Sequence, residues 1–336
     1  MNKIKVGING FGRIGRNVFK IMTEHPVFDV IGINDITDTK TLAYLLKYDS
    51  TQGKCHKFVE HTDSSIIING HEIKISASLN PIEIPWQETP DLVIEATGIF
   101  RSRESKKGGY GDHLKNGAKK VLLTVPAKDE IDRMIVLGVN DESLKDSDLC
   151  VSNASCTTNC LAPVAKVLHD NFGIVNGYMT TIHSYTNDQR ILDQPHSDLR
   201  RARSAAVSQI PTTTGAAKAV GKVLPDLNGL LDGISIRVPT PTGSIIDLVA
   251  NLKTEATKEE INAAMKRASE TTMKGILEYV EDPIVSVDII HSSYSSVFDS
   301  LSTMVMGKTV KVLSWYDNEW GYSNRVVDLA ERMFSF

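Results

Sequence analysis

Two cysteines stand among small hydroxyl and amide side chains in the stretch S-N-A-S-C-T-T-N-C, from Ser152 to Cys160. Four kinds of chemistry fit this stretch: a disulfide, a metal site, inert packing, or a nucleophile held at a helix N-terminus. The segment that follows has apolar residues at helical spacing, which places Cys156 at or just before the start of a helix. The helix dipole and the terminal N–H groups would favour a thiolate there.

The number and spacing of the cysteines argue against the first two alternatives. Four cysteines, at positions 55, 150, 156 and 160, are too few and too scattered for a disulfide framework in a chain of 336 residues. Cys156 and Cys160 are spaced C-x3-C without a second pair or a histidine couple, which is not a zinc pattern, so we expect no metal. Cys55, Cys150 and Cys160 are predicted to be inert packing residues.

Other residues could assist a nucleophile. Among nine histidines, His183 lies in M-T-T-I-H-S-Y-T-N-D-Q-R, a strand-to-loop segment rich in hydroxyl groups, and is the best candidate partner; the alternative is a core histidine. Arg237 is a charge inside an apolar strand pattern, which indicates an anionic ligand or a structural salt bridge. Thr212–Gly215 precedes an alanine-rich helical run and could bind an anion or cap that helix.

A glycine-rich stretch near the N-terminus predicts a cofactor. Gly10, Gly12 and Gly15 follow the G-x-G-x-x-G spacing between a predicted strand and a helix, and Asp35 lies 20 residues beyond Gly15 at the end of the next strand. Gly12 would let the backbone approach a pyrophosphate, while Asp35 would accept from a ribose 2′-hydroxyl and repel a 2′-phosphate. NAD is therefore favoured over NADP; the alternative is a glycine turn needed only for packing.

The first 155 residues alternate short apolar runs with helical stretches, which is typical of a doubly wound, Rossmann-type α/β domain with a parallel sheet. A hairpin is predicted at Ser65–Ser76, with a type I′ turn at Asn69 and Gly70. The other predicted strands are Ile4–Ile8, Val27–Ile33, Leu92–Ala96, Val121–Val125, Ile135–Val139 and Leu149–Val151.

Beyond Cys160 the pattern changes to one helix and longer strands, which predicts an α+β domain with a mixed or antiparallel sheet. The helix is expected at about Asn159–Phe172 and is closed by Gly173, with Pro163 implying a late start or a kink. The predicted strands are Tyr178–Thr186, Ile234–Val238, Ser244–Leu252, Ile284–Ile290 and Val310–Trp315.

The last segment, Tyr322–Phe336, has one apolar helical face and is expected to dock back on the first domain. The predicted boundaries are thus a dinucleotide-binding domain at 1–155, joined by the C-terminal helix at 319–336, and a catalytic domain at 156–318.

Composition limits the class of protein. A chain with 41% hydrophobic and 23% charged residues is ordinary for a globular protein, and the formal charge of -4 argues against a dedicated nucleic-acid binder despite the basic cluster D-L-R-R-A-R. The sequence shows no apolar signal core and no apolar run of the roughly 18 residues that span a bilayer. We therefore expect a cytoplasmic protein without a membrane partner.

The motifs S-C-T-T-N-C, H-S-Y-T-N-D-Q, T-T-T-G-A-A-K-A-V, I-R-V-P-T-P and W-Y-D-N-E together resemble the phosphorylating glyceraldehyde-3-phosphate dehydrogenases, from Lys5 to about Leu329. The resemblance implies an NAD-dependent aldehyde oxidoreductase of glycolysis and gluconeogenesis. Such an enzyme converts D-glyceraldehyde 3-phosphate, NAD and inorganic phosphate to 1,3-bisphosphoglycerate through a cysteine thioester. A homotetramer is also implied, with the 188–203 loop at an interface.

The resemblance assigns roles residue by residue, with Cys156 as nucleophile and His183 as base. It implies that substrate and inorganic phosphate are bound by Ser155, Thr157, Thr186, Arg201, Thr214, Gly215 and Arg237. It implies that NAD is bound by Gly10, Gly12, Arg13, Ile14, Gly15, Asp35, Thr97, Thr124, Asn318 and Tyr322.

Three alternatives stay open at this point. An erythrose-4-phosphate dehydrogenase resembles the chain around the cysteine, a cysteine hydrolase could use the same scaffold, and a surface-exposed binding protein could coexist with the enzyme. The chain also departs from many relatives in two places. Leu79 stands where they have an arginine near the adenine, and Lys106–Gly111 looks like an insertion before a surface helix.

Overall fold

The computed structural model describes residues 3–336, which divide into two compact units. The first unit contains the residues up to Ile135 together with Glu142–Ala154 and Ser323–Phe336. The second contains Val136–Asp141 and Ser155–Tyr322. Within the described range, no helix has the length and apolar character needed to cross a membrane.

The first unit is built on a nine-stranded sheet. Its strands and the small β3–β4 ribbon are β1 Ile4–Asn9, β2 Phe28–Asn34, β3 Tyr48–Asp49, β4 Gly53–Lys54, β5 Val59–His61, β6 Ser65–Ile68, β7 His71–Ser76, β8 Leu92–Glu95, β9 Lys120–Leu123, β10 Arg133–Met134 and β11 Cys150–Ser152. Their order in the sheet is β10-β11-β9-β8-β1-β2-β7-β6-β5. All pairs from β10 to β7 are parallel, which confirms the predicted doubly wound class.

The helices of this unit are α1 Arg13–Met22, α2 Thr39–Lys47 and α3 Asp112–Lys115. The predicted hairpin is confirmed as β6 and β7, with positive φ angles of 48° at Asn69 and 83° at Gly70. The predicted surface helix after Lys106–Gly111 is only partly right, because α3 is four residues long and its His113 is fully buried.

The strand predicted at Ile135–Val139 is wrong. The N–H of Val139 donates to the Val136 carbonyl at 3.0 Å, and Gly138 has φ +78°, so these residues turn. The neighbouring Arg133–Met134 pairs with β11 instead. The periodicity of so short an apolar run does not distinguish a strand from other conformations, and here the hydrogen bonds of the turn determine the conformation.

Trp86 covers the middle of the sheet on one face of β1 and β2. A Cβ atom placed on Gly7 would come 2.8 Å from the indole ring, and one on Gly32 would come 3.3 Å from it. These two glycines therefore leave room for a large side chain to lie flat on the strands.

The second unit is built on a seven-stranded mixed sheet, as predicted. Its strands are β12 Ile174–Ser184, β13 Ile210–Thr213, β14 Leu231–Val238, β15 Ser244–Leu252, β16 Leu277–Val280, β17 Ser296–Met306 and β18 Thr309–Tyr316, in the order β13-β14-β12-β15-β18-β17-β16. The β12–β14 and β16–β17 pairs are parallel and the others antiparallel. Helices α4 Cys156–Phe172, α5 Ala216–Val223 and α6 Lys258–Glu270 pack against it.

Helix α4 begins earlier than the sequence suggests. It starts at Cys156, because the hydroxyl of Ser155 caps it by accepting from the N–H of Thr158 at 3.1 Å. Pro163 lies well inside the helix and does not delay its start. Gly173, with φ +69°, follows the last turn as predicted.

Strand prediction fails in several parts of this unit. The stretch Ile284–Ile290 contains a 3-10 turn at Ser286–Ile289 instead of a strand, since the Asp288 carboxylate accepts from the Val285 N–H at 2.8 Å. Strands β13, β16 and β17 were not predicted, and in β17 the serine-rich sequence hides the alternation.

The last helix, α7 Trp320–Arg332, spans the boundary between the two units. Its residues Val326, Leu329 and Ala330 are buried, as expected for its apolar face. Within the first unit, the Lys120 ammonium donates to the Met333 carbonyl at 2.7 Å and lies over the rings of Phe334 and Phe336.

Candidate active site

Three elements of the second unit bring three candidate side chains together. Cys156 is the first residue of α4, and its Sγ lies 3.5 Å from Nε2 of His183 on β12. In the parallel β12–β14 pair, His183 is opposite Arg237, whose Nη1 lies 2.6 Å from His183 Nδ1. A thiol, an imidazole and a guanidinium thus form one contiguous group.

The backbone favours one tautomer of His183. Its Nδ1 lies 2.7 Å from the Ser184 carbonyl oxygen, an acceptor, and 2.6 Å from Arg237 Nη1, a donor. The carbonyl favours the tautomer with the proton on Nδ1, in which the lone pair of Nε2 faces the Cys156 sulfur. Arg237 donates to the same carbonyl at 3.1 Å. This arrangement directs the basic nitrogen toward the thiol.

Electrostatics keeps the imidazole neutral. Burial, and then the positive charge of Arg237, lower the pKa of His183 to about 3, although the hydrogen bond to Ser184 opposes the shift. Near neutral pH the ring is therefore a proton acceptor and not an imidazolium. A base in this state can remove a proton from a thiol or a hydroxyl group.

The expected lowering of the Cys156 thiol pKa is wrong in this structure. Burial raises the pKa of Cys156, and it outweighs the charge of Arg237 and the hydrogen bonds from Thr157, which lower it. The sequence indicated the helix N-terminus but not the protein that surrounds the sulfur. Formation of the Cys156 thiolate in the free protein is therefore disfavoured near neutral pH.

Tyr316 was missed by the sequence analysis, although it belongs to the motif W-Y-D-N-E. This fully buried residue at the end of β18 places its hydroxyl 2.9 Å from Thr157 Oγ1 and 2.8 Å from Thr181 Oγ1. Its ring packs edge-on against His183. Tyr316 joins the first turn of α4 to β12 and so fixes the spacing of the thiol and the imidazole. The inward position of Tyr316 in the alternating strand was the available signal.

The predicted anion-binding residues lie on several loops and helix ends of the same unit. Ser155 caps α4, and Thr157 is buried within its first turn. Thr186 follows β12, where its N–H donates to the Gln189 side chain at 3.2 Å. Thr214 accepts from the N–H of Ala216 at 3.2 Å, and Gly215 caps α5.

Arg201 is not an isolated cation. Its Nε donates to Thr212 Oγ1 at 2.7 Å, its Nη1 pairs with Asp188, and Asp198 lies at 3.4 Å. Arg203, in the same basic cluster, pairs with Asp193 at 2.9 Å. Carboxylates thus balance the charges of these two arginines.

The glycine stretch of the first unit forms a tight turn between β1 and α1. Gly10 has φ +92°, and a Cβ there would lie 2.7 Å from the N of Thr97. A Cβ on Gly15 would lie 2.0 Å from the Gly10 carbonyl oxygen. Both positions need glycine for the chain to pack.

The remaining predicted cofactor residues surround this turn or lie in the second unit. Asp35 accepts from the N–H groups of Phe11 at 2.7 Å and Thr37 at 2.9 Å, so it fixes the glycine turn. Arg13 and Ile14 open α1, and the Arg13 guanidinium pairs with Asp49 at 2.6 Å. The others are placed as follows: Thr97 and Thr124 in the first unit, and the buried Asn318 and Tyr322 in the second.

Two family models match the chain. Residues 4–103 match the NAD binding domain of glyceraldehyde 3-phosphate dehydrogenase, and residues 155–318 match its C-terminal domain. The chain belongs to the glyceraldehyde-3-phosphate dehydrogenase family. Its family is thus the one that the motifs around Cys156 and His183 resemble.

Relatives in this family are similar over almost the whole chain. Glyceraldehyde-3-phosphate dehydrogenase of Borreliella burgdorferi is 63% identical over 98% of this chain and 99% of its own length. The Geobacillus stearothermophilus enzyme is 58% identical, over 97% of both chains. Glyceraldehyde-3-phosphate dehydrogenase 1 of Bacillus subtilis is 54% identical, also over 97% of both.

NAD is the cofactor of this family's N-terminal domain, and the residues of the first unit fit it. Gly12 has φ -71°, which any residue adopts, and a Cβ there would meet no atom of the chain within 4 Å. Unlike Gly10 and Gly15, it is not needed for packing. The open space at the N-terminus of α1 is the place where a pyrophosphate is held in dinucleotide folds.

Proposed function

We propose that the protein is a phosphorylating glyceraldehyde-3-phosphate dehydrogenase that oxidises D-glyceraldehyde 3-phosphate with NAD and inorganic phosphate to 1,3-bisphosphoglycerate. The observation that carries the proposal is the contiguous group of Cys156, His183 and Arg237 in a chain that has both family domains. A thiol beside a neutral base suits covalent attack on an aldehyde, and the arginine suits an anionic substrate.

The covalent step uses Cys156 and His183. His183 Nε2 takes the thiol proton as the sulfur adds to the aldehyde carbon, and returns that proton to the carbonyl oxygen, which becomes the hydroxyl group of the hemithioacetal. Bound NAD supplies the hydride acceptor. His183 removes the hydroxyl proton of the hemithioacetal as the thioester forms. Inorganic phosphate then attacks the thioester carbon, and the acyl phosphate and the Cys156 sulfur separate.

The phosphate groups require cationic and hydroxyl partners. We assign Arg237 and Thr186 to one phosphate group and Arg201, Thr214 and Gly215 to the other, with Ser155 and Thr157 shaping the helix end beside the sulfur. A Cβ on Gly215, whose φ is -89°, would meet no atom of the chain within 4 Å, so this glycine leaves open space at the N-terminus of α5. A phosphate group that binds at Arg201 would replace Asp188 as the partner of its guanidinium.

On the cofactor side, the turn of Gly10, Gly12 and Gly15 presents the N–H groups of Arg13 and Ile14 to the pyrophosphate. Asp35 is assigned to the adenosine ribose, and the other assigned residues are Thr97, Thr124, Asn318 and Tyr322. The carboxylate of Asp35 disfavours a 2′-phosphate, so NAD is preferred over NADP.

A spectrophotometric assay tests the proposal. Reduction of NAD should require glyceraldehyde 3-phosphate together with phosphate or arsenate. Preferential turnover of erythrose 4-phosphate would instead support the alternative dehydrogenase, and NAD binding without any aldehyde oxidation would contradict both.

We further propose a cytoplasmic homotetramer. One row of the sheet face crosses the register partners Tyr178, Val249, Lys311 and Met304, and its apolar side chains are exposed. Tyr178 is 75% and Met304 62% exposed, and Ile191, Leu192 and Leu199 are exposed in the 188–203 loop. Apolar surface of this kind suits contact with further copies of the chain. Light scattering should give about four times the 36.9 kDa chain mass; a monomer would contradict the proposal.

A further inference from the structure

A hydrogen-bonded pair of a glutamate and a histidine lies buried in the first unit and has no part in the steps above. Glu95, at the end of β8, and His113, on α3, are both fully buried, and His113 Nε2 lies 2.9 Å from Glu95 Oε2. The second ring nitrogen of His113 is buried without a hydrogen-bond partner. The hydrogen bond of this imidazole is therefore the one to the Glu95 carboxylate.

The Glu95 carboxylate is saturated with donors. Oε2 accepts from His113 and from Asn9 Nδ2, the latter at 2.6 Å. Oε1 accepts from the N–H of Thr97 at 3.0 Å and from the Thr97 hydroxyl. Four donors meet the full acceptor capacity of a carboxylate, so the side chain is held in one position.

The hydrogen bonds continue across the sheet. Asn9 ends β1 and accepts from Asn34 Nδ2 at 2.8 Å, and Asn34 ends β2 and accepts from Ser76 Oγ at 2.9 Å. Register pairs Asn9 with both Glu95 and Asn34, and Asn34 with Ser76. One chain of side chains therefore ties the carboxyl ends of four neighbouring strands, β8, β1, β2 and β7.

The residues of this hydrogen-bond network directly precede the assigned cofactor residues in the sequence. Gly10 follows Asn9, Asp35 follows Asn34, and Thr97 is two residues beyond Glu95. The N of Thr97 is also the atom that a Cβ on Gly10 would approach to 2.7 Å. Glu95 thus fixes the peptide against which the glycine turn packs.

Stability alone does not account for a buried polar pair, since hydrophobic residues of similar volume often stabilise a fold equally well. A saturated polar network specifies positions more sharply than an apolar cluster does. We propose that Glu95 and His113 are positioning residues for NAD: they set the spacing of Thr97, the Gly10 turn and Asp35. This inference rests on the proposed function only in taking these residues as the NAD site.

The experiment compares NAD affinity with thermal stability in matched variants of the full chain. Glu95→Gln replaces one acceptor oxygen by a donor, and His113→Leu removes a donor. Each is expected to raise the Kd of NAD about tenfold, by displacing groups that contact the cofactor. His113→Gln can still donate to Glu95 and should restore most of the affinity. The KM for NAD should rise in parallel, while kcat at saturating NAD stays within about twofold.

Asp132→Asn is the control. Asp132 pairs with Arg103 and accepts from the N–H groups of Leu149 and Cys150 in the same unit, outside the network. It should lower Tm without changing the Kd of NAD. If Glu95→Gln and His113→Leu lower Tm in the same way and leave the Kd unchanged, the proposal is overturned. Should Glu95→Gln fail to fold, the contrast between His113→Leu and His113→Gln decides.

The outcomes separate this inference from the proposed function. An unmodified chain that binds NAD but does not oxidise glyceraldehyde 3-phosphate contradicts the function and leaves the positioning role to be judged by the variants. An unmodified chain that does not bind NAD contradicts both.

Discussion

The two candidate sites present their ligands with different parts of the chain. In the first unit, the glycine turn offers backbone N–H groups at a helix start, supported by a saturated network beneath Gly10 and Thr97. In the second, the chemistry depends on three ionisable side chains within 3.5 Å of one another along the series Cys156, His183 and Arg237. Ligand binding at the first site depends on the shape of the backbone, and the chemistry of the second depends on the charges of its side chains.

This difference predicts which kind of substitution should disturb each site. A site made of backbone groups is disturbed by added volume, whereas a site made of coupled charges is disturbed by changes in protonation. Arg237 illustrates the second case, because its charge lowers the pKa values of both Cys156 and His183. It disfavours an imidazolium and favours a thiolate at the same time.

The largest expected effect is on the nucleophile. Cys156→Ser should reduce phosphate-dependent NAD reduction by at least about 10⁴-fold, because a hydroxyl is a far weaker nucleophile than a thiol. NAD affinity measured by calorimetry should change little, since the glycine turn lies in the first unit. Cys55→Ser is the matched control and should retain activity. Substantial turnover by Cys156→Ser would remove the thioester from the mechanism.

The next effect concerns the base. His183→Asn removes the nitrogen that faces the sulfur and should lower kcat by about 10²–10⁴-fold. Stopped-flow measurement of the first turnover should show the loss in the oxidation step. An unchanged rate of that step would mean that another group takes the proton.

A paired glycine experiment separates the two sites. Gly12→Ala should raise the Kd of NAD about 10- to 100-fold, because the methyl group occupies the open space at the start of α1. Gly215→Ala should raise the KM for inorganic phosphate instead. Neither Tm should fall appreciably, since neither Cβ meets the chain within 4 Å. If both substitutions affect the same ligand, the division into two sites is wrong.

The pH dependence of alkylation tests the raised thiol pKa. Below that pKa the thiolate fraction grows about tenfold per pH unit, so the iodoacetamide reaction of Cys156 should accelerate steadily from pH 6 through pH 8. Cys160, which is fully buried with its pKa raised to about 12, should stay unlabelled in the folded protein. Mass spectrometry follows each site. A rate that is already constant below pH 7 would show a lowered thiol pKa.

The smallest effect is on stability. Because burial lowers the His183 pKa from 6.5 to about 3, only the unfolded chain binds this proton between those values. The histidine therefore favours folding fully above pH 6.5, and its contribution is lost as pH falls, by up to about 1.4 kcal/mol per pH unit. The free energy of unfolding, measured with urea between pH 4.5 and 6.5, should therefore depend less steeply on pH in His183→Gln than in the unmodified protein. Parallel slopes would contradict the neutral buried imidazole.

Periodicity and spacing predicted the fold class, the glycine turn and the helix that follows Ser155. The glycine turn was predictable because a turn that requires glycine fixes the spacing of the glycines in the sequence, as at Gly10 and Gly15. Cys156 and His183 were predictable only as candidates, because 27 residues separate them and the sheet register brings them together.

Burial explains what the sequence could not predict. The direction of the Cys156 pKa depends on the protein packed around the sulfur, which no local motif encodes. Tyr316, Glu95 and His113 look like ordinary strand and loop residues until the register places their side chains in contact. The failed strand at Ile284–Ile290 shows the same limit, since one local bond to Asp288 overrides its alternation.

Trp86, which lies flat on Gly7 and Gly32, is also the single indole of the first unit, because the other two tryptophans of the chain are Trp315 and Trp320. Replacing those two with phenylalanine would leave an intrinsic fluorophore that reports on one half of the molecule. Its emission would shift to longer wavelength only when the sheet beneath it opens. Unfolding of the NAD-binding half could then be timed separately from loss of the cysteine site.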